Sequence, residues 1–288
     1  MSKEITLKKV LEFFLTKIIV GIVIIGGLVA FTEWSGRLLL EKTGISGELV
    51  NVLIAISDAA IALFAYILLF RYYENRIINE LSFSSFGKNA LRGFATGFVL
   101  QSLFISVIYL TGNYSITYIN PASFLLPPFT TAITAGFVSE ILIRGIAFRL
   151  IEEKSGTVIA IIIFTLLFAI FHLNVEGATP LSVVSTAIQA GLLLSAAYVF
   201  TRSLWFTIFL HFAWDFAEPG IYGAINPGNS IHQSLFSGIV SGPSLLTGGQ
   251  LGPQNSIQAL ILCTASGILF LWLAWKKNNF IKPFWNKN

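Results

Sequence analysis

Two pairs of polar side chains interrupt long apolar stretches of the sequence, and each pair is spaced by about one helical turn. Glu140 lies four residues before Arg144, and His211 lies four residues before Asp215. Because residues four apart share one face of a helix, both members of each pair can face the same interior. Carboxylates and imidazoles are the side chains that most often move protons in catalysis, so these pairs indicate acid–base chemistry.

A third position, His172, joins this set because of its distance from a predicted turn. It ends a stripe at helical spacing that includes Phe168. A hairpin turning near Gly156 places Glu140 and His172 at the same depth, since each lies sixteen residues from that glycine. The side chains expected to converge on one intramembrane site are Glu140, His172, His211 and Asp215.

Composition identifies the class of protein that carries these side chains. Of the 288 residues, 55% are hydrophobic and 11% are charged, and the mean hydropathy is +0.78. These values are typical of an integral membrane protein and exclude a single soluble core. The isoelectric point near 9.2 does not indicate a nucleic-acid partner, because the basic residues lie beside apolar segments and act as topology signals. Polar residues within the spans are costly there, so they are functional candidates.

We predict eight membrane spans, each an apolar segment that can cross a bilayer as a helix. Their approximate ranges are 10–32, 49–70, 91–112, 128–149, 157–173, 181–200, 203–218 and 256–275. No long soluble segment separates them. The sequence therefore predicts an all-α fold, in which residues 1–288 form one transmembrane domain, a polytopic bundle of about eight helices.

The basic residues predict the orientation of the bundle. With the N-terminus in the cytoplasm, 14 of the 18 Lys and Arg residues lie in inner segments, and only Arg37 and Lys42 lie in outer ones. Lys17 and Arg144 lie within spans. By the positive-inside rule, this distribution favours a multi-pass cell-membrane protein with both termini in the cytoplasm. The first span is interpreted as a retained signal anchor, and the loop 219–256 is expected outside.

Three segments resemble motifs of the CPBP family of intramembrane proteases, which includes CAAX prenyl endopeptidases and bacteriocin-processing or immunity proteins. They are VSEILIRG, LLFAIFHLN and SLWFTIFLHFAWDF, and GPSLLTGGQLGP in the following loop adds to the resemblance. The family pattern is Glu-Glu-x-x-x-Arg, then Phe-x-x-x-His, then His-x-x-x-Asn or His-x-x-x-Asp. The aligned stretches are Ser139–Arg144, Phe168–His172 and His211–Asp215. They make residues 128–218 a CPBP-like core.

The resemblance implies hydrolysis of a peptide bond by activated water. The catalytic residues that it implies are Glu140, His172, His211 and Asp215. Both histidines would position the water and stabilise the oxyanion, and Asp215 would orient His211. Arg144 would support the site by holding Glu140 ionised and fixed.

One position departs from the family pattern. The first glutamate of the family pair is usually assigned to activate water, and this chain has Ser139 there. The identity of the general base is therefore open, with Glu140 as the candidate that would take over the role.

A metal-dependent mechanism is the alternative, because two histidines and a carboxylate with an open fourth position form a catalytic zinc pattern. The zinc ligands would then be His172 and His211 with Glu140 or Asp215. We expect no cofactor and keep zinc as the alternative.

Each of these residues also has a structural interpretation. Glu140 and Arg144 can lock the bundle as an ion pair, and His172 and His211 can be hydrogen-bonded core histidines. Ser139 is interpreted as a small contact between helices. A serine nucleophile beside a histidine is the other interpretation of that residue.

Three further residues lie outside the motifs. Asp58, in the second span, can make a helix–helix hydrogen bond or serve a proton relay or an ion site. His232 is expected to be solvated in the outer loop. Cys263 is the one cysteine of the chain, so an internal disulfide is excluded.

The sequence favours an intramembrane endopeptidase that acts within the lipid bilayer on a hydrophobic, membrane-tethered or lipid-anchored peptide or protein. Prenylated substrates follow only from the family name. The first alternative is a catalytically silent CPBP-like scaffold or a bacteriocin immunity or regulatory protein, which would tolerate Ser139. The second is a secondary transporter, for which inverted repeats would be expected, and none is evident in this sequence.

Overall fold

The structure is a computed structural model that describes residues 10, 12–224 and 233–286. The described residues form eight long helices. Their bounds are Phe14–Leu40 (α1), Gly47–Tyr73 (α2), Phe86–Leu110 (α3), Ala122–Ser155 (α4), Thr157–His172 (α5), Pro180–Thr201 (α6), Leu204–Phe216 (α7) and Ile257–Lys276 (α8). Six of them are long and apolar enough to cross a membrane, and α5 is apolar but shorter. The predicted all-helical, polytopic fold is confirmed.

The helices follow the predicted spans closely, because an apolar segment in lipid must satisfy its backbone hydrogen bonds internally and a helix does so. The largest differences are at α1, which continues to Leu40, and at α4, which extends the predicted span at both ends. Some residues used in the sequence predictions lie outside the described residues. They are Lys3, Lys8, Lys9, His232 and Lys287.

The α4–α5 hairpin turns at Gly156, as the sequence predicted. Gly156 has φ +85°, a conformation that favours glycine. A Cβ added to Gly156 would also lie 2.9 Å from the nitrogen of Pro283. Thr157 N donates to Ile281 O (3.0 Å), and Ile281 N donates to Thr157 Oγ1 (2.9 Å). The segment after α8 therefore packs against the turn that sets the relative depth of α4 and α5.

Helix α7 lies at the centre of the bundle and approaches its neighbours closely. A Cβ at Gly93 of α3 would overlap the carbonyl oxygen of Phe206. Small residues at such positions let membrane helices come into backbone contact. Ile208 and Leu210 are fully buried in the same helix. This packing fixes the rotation of α7, and with it the direction of the two polar residues that it carries.

Several helices are π-helical where they contribute polar residues. In α4 the π-helical segments are Thr134–Ser139 and Ile141–Phe148, and in α6 the segment is Ala187–Leu193. Helix α7 continues as a π-helical segment, Ala217–Tyr222. π-Helical segments are rare in proteins as a whole, and those that do occur are often at functional sites. In α4, the two π-helical segments change the direction in which the side chains on either side of Glu140 point.

An ion-pair cluster fixes the end of α4 that leads into the hairpin. Arg149 of α4 lies 2.9 Å from Glu74, at the end of α2, and Arg76 contacts Glu74 at 2.8 Å and Glu80 at 2.6 Å. Burial alone would raise the pKa of Glu74, but the guanidinium groups of Arg149 and Arg76 hold it below its ordinary value. In the sequence, Arg76 and Arg149 indicate only the orientation of the bundle.

Two strands make a small ribbon that the sequence analysis did not predict. Tyr114–Ile119 (β1) pairs antiparallel with Phe236–Val240 (β2), with Tyr114 opposite Val240. The ribbon joins the α3–α4 connection to the α7–α8 connection. A single helical turn, Ser244–Thr247, follows, and two 3₁₀ turns, Gly249–Leu251 and Pro253–Asn255, lead into α8.

Candidate active site

The Glu140–Arg144 pair is fully buried within α4. Arg144 Nη1 donates to Glu140 Oε1 at 2.9 Å, and both side chains are 0% exposed. Arg144 Nη2 donates to the carbonyl of Ala190 in the π-helical part of α6. Its guanidinium also lies 5.4 Å from the centre of the Phe168 ring on α5. Arg144 therefore links three helices, while it neutralises the carboxylate beside it.

Glu140 also contacts His211 across the α4–α7 interface. His211 Nδ1 lies 2.8 Å from Glu140 Oε1, the oxygen that accepts from Arg144. The other oxygen, Oε2, is buried and has no hydrogen-bond partner among the described residues. A carboxylate that accepts from Nδ1–H fixes the imidazole orientation and leaves Nε2 available. His211 Nε2 lies 3.4 Å from Asp215 Oδ2, one turn further along α7.

A cavity of about 380 Å³ collects three of the four predicted catalytic residues. His172, His211 and Asp215 line it, whereas Glu140 does not. His172 Nδ1 lies 2.9 Å from the carbonyl oxygen of Phe168, so with the proton on Nδ1 the other ring nitrogen is an acceptor. The structure thus brings the two histidines and Asp215 to one cavity and places Glu140 behind His211.

Ser139 has a geometry that does not match that of an activated nucleophile. Its Oγ donates to the carbonyl of Ala135 one turn earlier. It also lies 3.4 Å from His211 Nδ1, the nitrogen that faces Glu140. A serine nucleophile needs its hydroxyl proton directed to a free base nitrogen. In this arrangement Ser139 forms a small polar contact between α4 and α7.

Glu218 is a polar residue next to the site that the sequence analysis missed. Its side chain is buried, and with Asp215 it lines a second cavity of about 290 Å³. Glu218 Oε2 accepts a hydrogen bond from Gln254 N at 3.0 Å. Trp214 and Gln254 line both cavities, so the two adjoin. Glu218 could have been found in the sequence from its position three residues after Asp215, because this spacing places both residues on one face of the helix.

The α7–α8 connection forms one wall of both cavities. Trp214 Nε1 donates to Gln254 Oε1 at 3.1 Å, and Gln189 of α6 donates to the Gln254 carbonyl. Asn255 Nδ2 donates to the carbonyl oxygen of Leu251 at 2.8 Å. The contacts of Gln254, which directly follows the segment GPSLLTGGQLGP, hold the end of this connection against α6 and α7.

The donor arrangement does not match a metal centre in the part of the chain that the structure describes. No group of three or more His, Cys, Asp or Glu side chains there is placed to hold a metal ion. Of the zinc ligands considered, Glu140 is engaged by Arg144 and His211 and does not reach the cavity.

Two residues singled out in the sequence lie away from this site. Asp58 of α2 is buried and lines a different cavity, together with residues of α1 and α4. Cys263 is buried in α8 among apolar side chains.

Comparison with known proteins yields one family match. Residues 121–217 match the family model of the type II CAAX prenyl endopeptidase Rce1-like proteins. The match covers about a third of the 288 residues and comprises the whole of α4, α5, α6 and α7, and with them Glu140, His172, His211 and Asp215. No curated protein and no solved structure matches the chain.

Proposed function

We propose that this chain, whose α4–α7 core is of the CPBP and CAAX protease type, is an intramembrane endopeptidase. It hydrolyses a peptide bond of a hydrophobic or lipid-anchored peptide with activated water. The observation that carries the proposal is the 2.8 Å contact between His211 and Glu140, beside a cavity that His172 and Asp215 also line. The same family match supports a protease more than a transporter.

In the proposed reaction, His211 is the general base and Glu140 fixes its orientation. Nε2 of His211 takes a proton from a water molecule as the water oxygen attacks the carbonyl carbon of the substrate. The carbonyl oxygen becomes an oxyanion, and the imidazolium beside it is stabilised by the Glu140 carboxylate. Collapse of the intermediate breaks the C–N bond, and the proton on Nε2 passes to the leaving amine.

The remaining cavity residues position the water in this proposal. His172 accepts a hydrogen bond from the water through the ring nitrogen that does not face Phe168. Asp215, 3.4 Å from His211 Nε2, accepts from the imidazole once that nitrogen is protonated. Arg144 keeps Glu140 ionised and aligned. In this proposal Glu140, the sequence's candidate for the open role of general base, is a positioning residue instead.

The class of substrate is inferred from the residues that surround the site. The cavity lies among apolar membrane helices, and Phe168, Leu193, Leu194 and Leu210 line it beside the polar groups. A hydrophobic or lipid-anchored peptide can reach such a site from the bilayer. In this proposal the protein lies in a cell membrane with both termini in the cytoplasm, as the distribution of its basic residues favours.

A catalytically silent scaffold or immunity protein is the second candidate, and Ser139 is the observation that favours it. The family pattern has a glutamate at this position, and the hydroxyl group of Ser139 cannot act as a carboxylate base. The two candidates differ in one measurable way, because only the endopeptidase depends on His172 and His211 for turnover.

The test is hydrolysis of quenched hydrophobic and lipid-anchored peptides by the purified protein in liposomes. We expect cleavage by the wild type, with loss of cleavage in His172→Ala and His211→Ala. Phe171→Ala is the matched control, because Phe171 is adjacent to His172 and 71% exposed. Equal cleavage by all four proteins would refute the assigned site. No cleavage by any of them, and no gain with Ser139→Glu, would favour the silent scaffold.

A further inference from the structure

A buried carboxylate lies away from the candidate active site, and one of its oxygens has no hydrogen-bond partner among the described residues. Asp58 of α2 is 3% exposed, and its Oδ1 makes no hydrogen bond to any residue that the structure describes. An uncompensated charge in an apolar interior is strongly unfavourable, so buried carboxylates are normally paired or bind a cation. We therefore expect Asp58 to have a positively charged partner.

The cavity in front of Asp58 carries net negative charge. It has a volume of about 310 Å³ and lies between α1, α2 and α4. Its charged lining residues are Glu33, Glu48, Asp58 and one cation, Arg37. Arg37 is engaged at the rim, where it donates to Asn51 Oδ1 at 3.0 Å and to Glu33 Oε1 at 3.2 Å. Arg37, the one cation among the described lining residues, is thus directed to partners other than Asp58.

The wall contributed by α4 presents hydroxyl oxygens as acceptors. Thr130 Oγ1 donates its proton to the carbonyl of Leu126 at 2.9 Å, and Thr134 Oγ1 donates to the carbonyl of Thr130 at 3.4 Å. A hydroxyl has one proton and two lone pairs, so these oxygens have only acceptor capacity left for the cavity. Carboxylate and hydroxyl oxygens together are hard ligands, which suit a hard cation.

The number of buried carboxylates determines the charge of the cation that would balance them. Asp58 is the one buried acid in the lining, while Glu33 is half exposed at the rim. In the described residues no three His, Cys, Asp or Glu side chains are grouped for a metal ion, as multivalent sites usually require. One buried negative charge balances one positive charge.

We propose that this cavity binds a monovalent alkali cation through Asp58 and the hydroxyl oxygens of Thr130 and Thr134. The cation joins α2 to α4 at Thr134, the residue at which α4 changes to π-helical geometry before Ser139. Thr131, between the two ligands, also lines the cavity that contains Glu218. The bound cation therefore stabilises the part of α4 that leads to the candidate active site.

The test is the thermal midpoint Tm of the purified full chain in detergent. The chloride salt is exchanged from N-methyl-D-glucamine to sodium or potassium at constant ionic strength, so that general screening stays the same. We expect a saturable rise in Tm with one of the two cations. At about a hundred times Kd, binding to the native state shifts the folding equilibrium about a hundredfold.

Three variants test whether the cation-dependent rise in Tm comes from binding in this cavity. Asp58→Asn should abolish the cation-dependent rise in Tm, yet be no less stable than the wild type without alkali cations, because it removes an unpaired buried charge. Thr134→Val should raise the half-saturating concentration at least severalfold. Ser57→Ala, the exposed neighbour whose hydroxyl donates to Leu53, should respond as the wild type does.

Three results would overturn the proposal. The first is a wild-type Tm that does not change with either cation. The second is an equal cation response in Asp58→Asn and the wild type. The third is a Tm that changes with pH through Asp58 but not with alkali cations, which would make the residue a proton site. None of these measurements uses peptide hydrolysis, so their outcome does not depend on whether the protein is an endopeptidase.

Discussion

His211 Nδ1 on α7 lies 2.8 Å from Glu140 Oε1 on α4, which makes one hydrogen-bonded pair of two residues that are distant in the sequence. Arg144 binds the same carboxylate oxygen at 2.9 Å. The carboxylate is thus held on one side by a permanent cation and on the other by a group that can gain or lose a proton. This asymmetry is what a positioning carboxylate behind a general base requires.

We expect Glu140→Gln to lower kcat for peptide hydrolysis by about 10²–10⁴, because a neutral amide cannot stabilise the imidazolium of His211. KM should change much less, since Glu140 does not line the cavity. Initial rates in liposomes over a range of substrate concentrations and pH values separate these effects. Glu176→Gln, at an exposed position, is the control. An unchanged kcat would contradict the role given to Glu140.

The same pair yields a prediction for stability. Arg144→Met should destabilise the protein by about 3–5 kcal/mol, because it leaves a buried carboxylate without its cation. Combining it with Glu140→Gln should cost less than the sum of the single variants, since the two residues interact directly. Unfolding in mixed detergent, followed by tryptophan fluorescence, measures the four free energies of the cycle. Additive values would show that the pair is not coupled.

Ser139→Ala should leave peptide hydrolysis within about threefold of the wild type, whereas loss of a nucleophile would remove 10³-fold or more. The reason is that the Ser139 hydroxyl donates to the Ala135 carbonyl, and the His211 nitrogen nearest to it already faces Glu140. Single-turnover rates with the quenched peptides check this. An abolished rate in a folded variant would restore the serine-nucleophile hypothesis.

Acid should destabilise the ion-pair cluster at the end of α4. Burial alone would raise the pKa of Glu80, but its bonds to Arg76 and its hydrogen bond from Tyr66 lower it below the ordinary value of 4.5. A lowered pKa in the folded state stabilises the protein above the unfolded-state value, and this contribution is lost as the pH falls through the folded-state pKa. The loss is therefore expected below about pH 4.5.

The measurement for the acid effect is Tm in detergent between neutral pH and about pH 3, the acid end being set by the pKa range of carboxylates. Glu80→Gln should be less stable than the wild type at neutral pH and should lose less stability on acidification. Glu41→Gln, at an exposed residue between α1 and α2, should follow the wild-type curve. Parallel curves for Glu80→Gln and the wild type would exclude Glu80 as a source of acid sensitivity.

Hydropathy and spacing predicted most of the fold, since each predicted span coincides with one of the helices α1–α8 and the hairpin at Gly156 is present. Six of these helices are long and apolar enough to cross a membrane. These features depend on local chemistry: apolar length sets a span, and a glycine permits a tight turn. The β1–β2 ribbon could not be predicted, because its strands are joined by contacts between distant loops. The buried contacts of Arg149 were also missed, since basic residues near span ends are normally solvated.

The candidate site was predicted less completely, because the rotation of a helix decides which residues reach a cavity. Periodicity assigned Glu140 and Arg144 to one face, and they do contact each other. The π-helical geometry on both sides of Glu140 changes the projection that an α-helical spacing assumes. A sequence pattern could therefore not show that Glu140 lies behind His211.

The contact of Thr157 with Ile281 has a consequence for biogenesis. Ile281 follows α8 in the chain, so it leaves the ribosome after all eight helices have been synthesised. Until then, the α4–α5 hairpin lacks the backbone partner that packs against its turn. The hairpin that carries Glu140 and His172 on its two arms therefore acquires this backbone partner only after α8 has been synthesised.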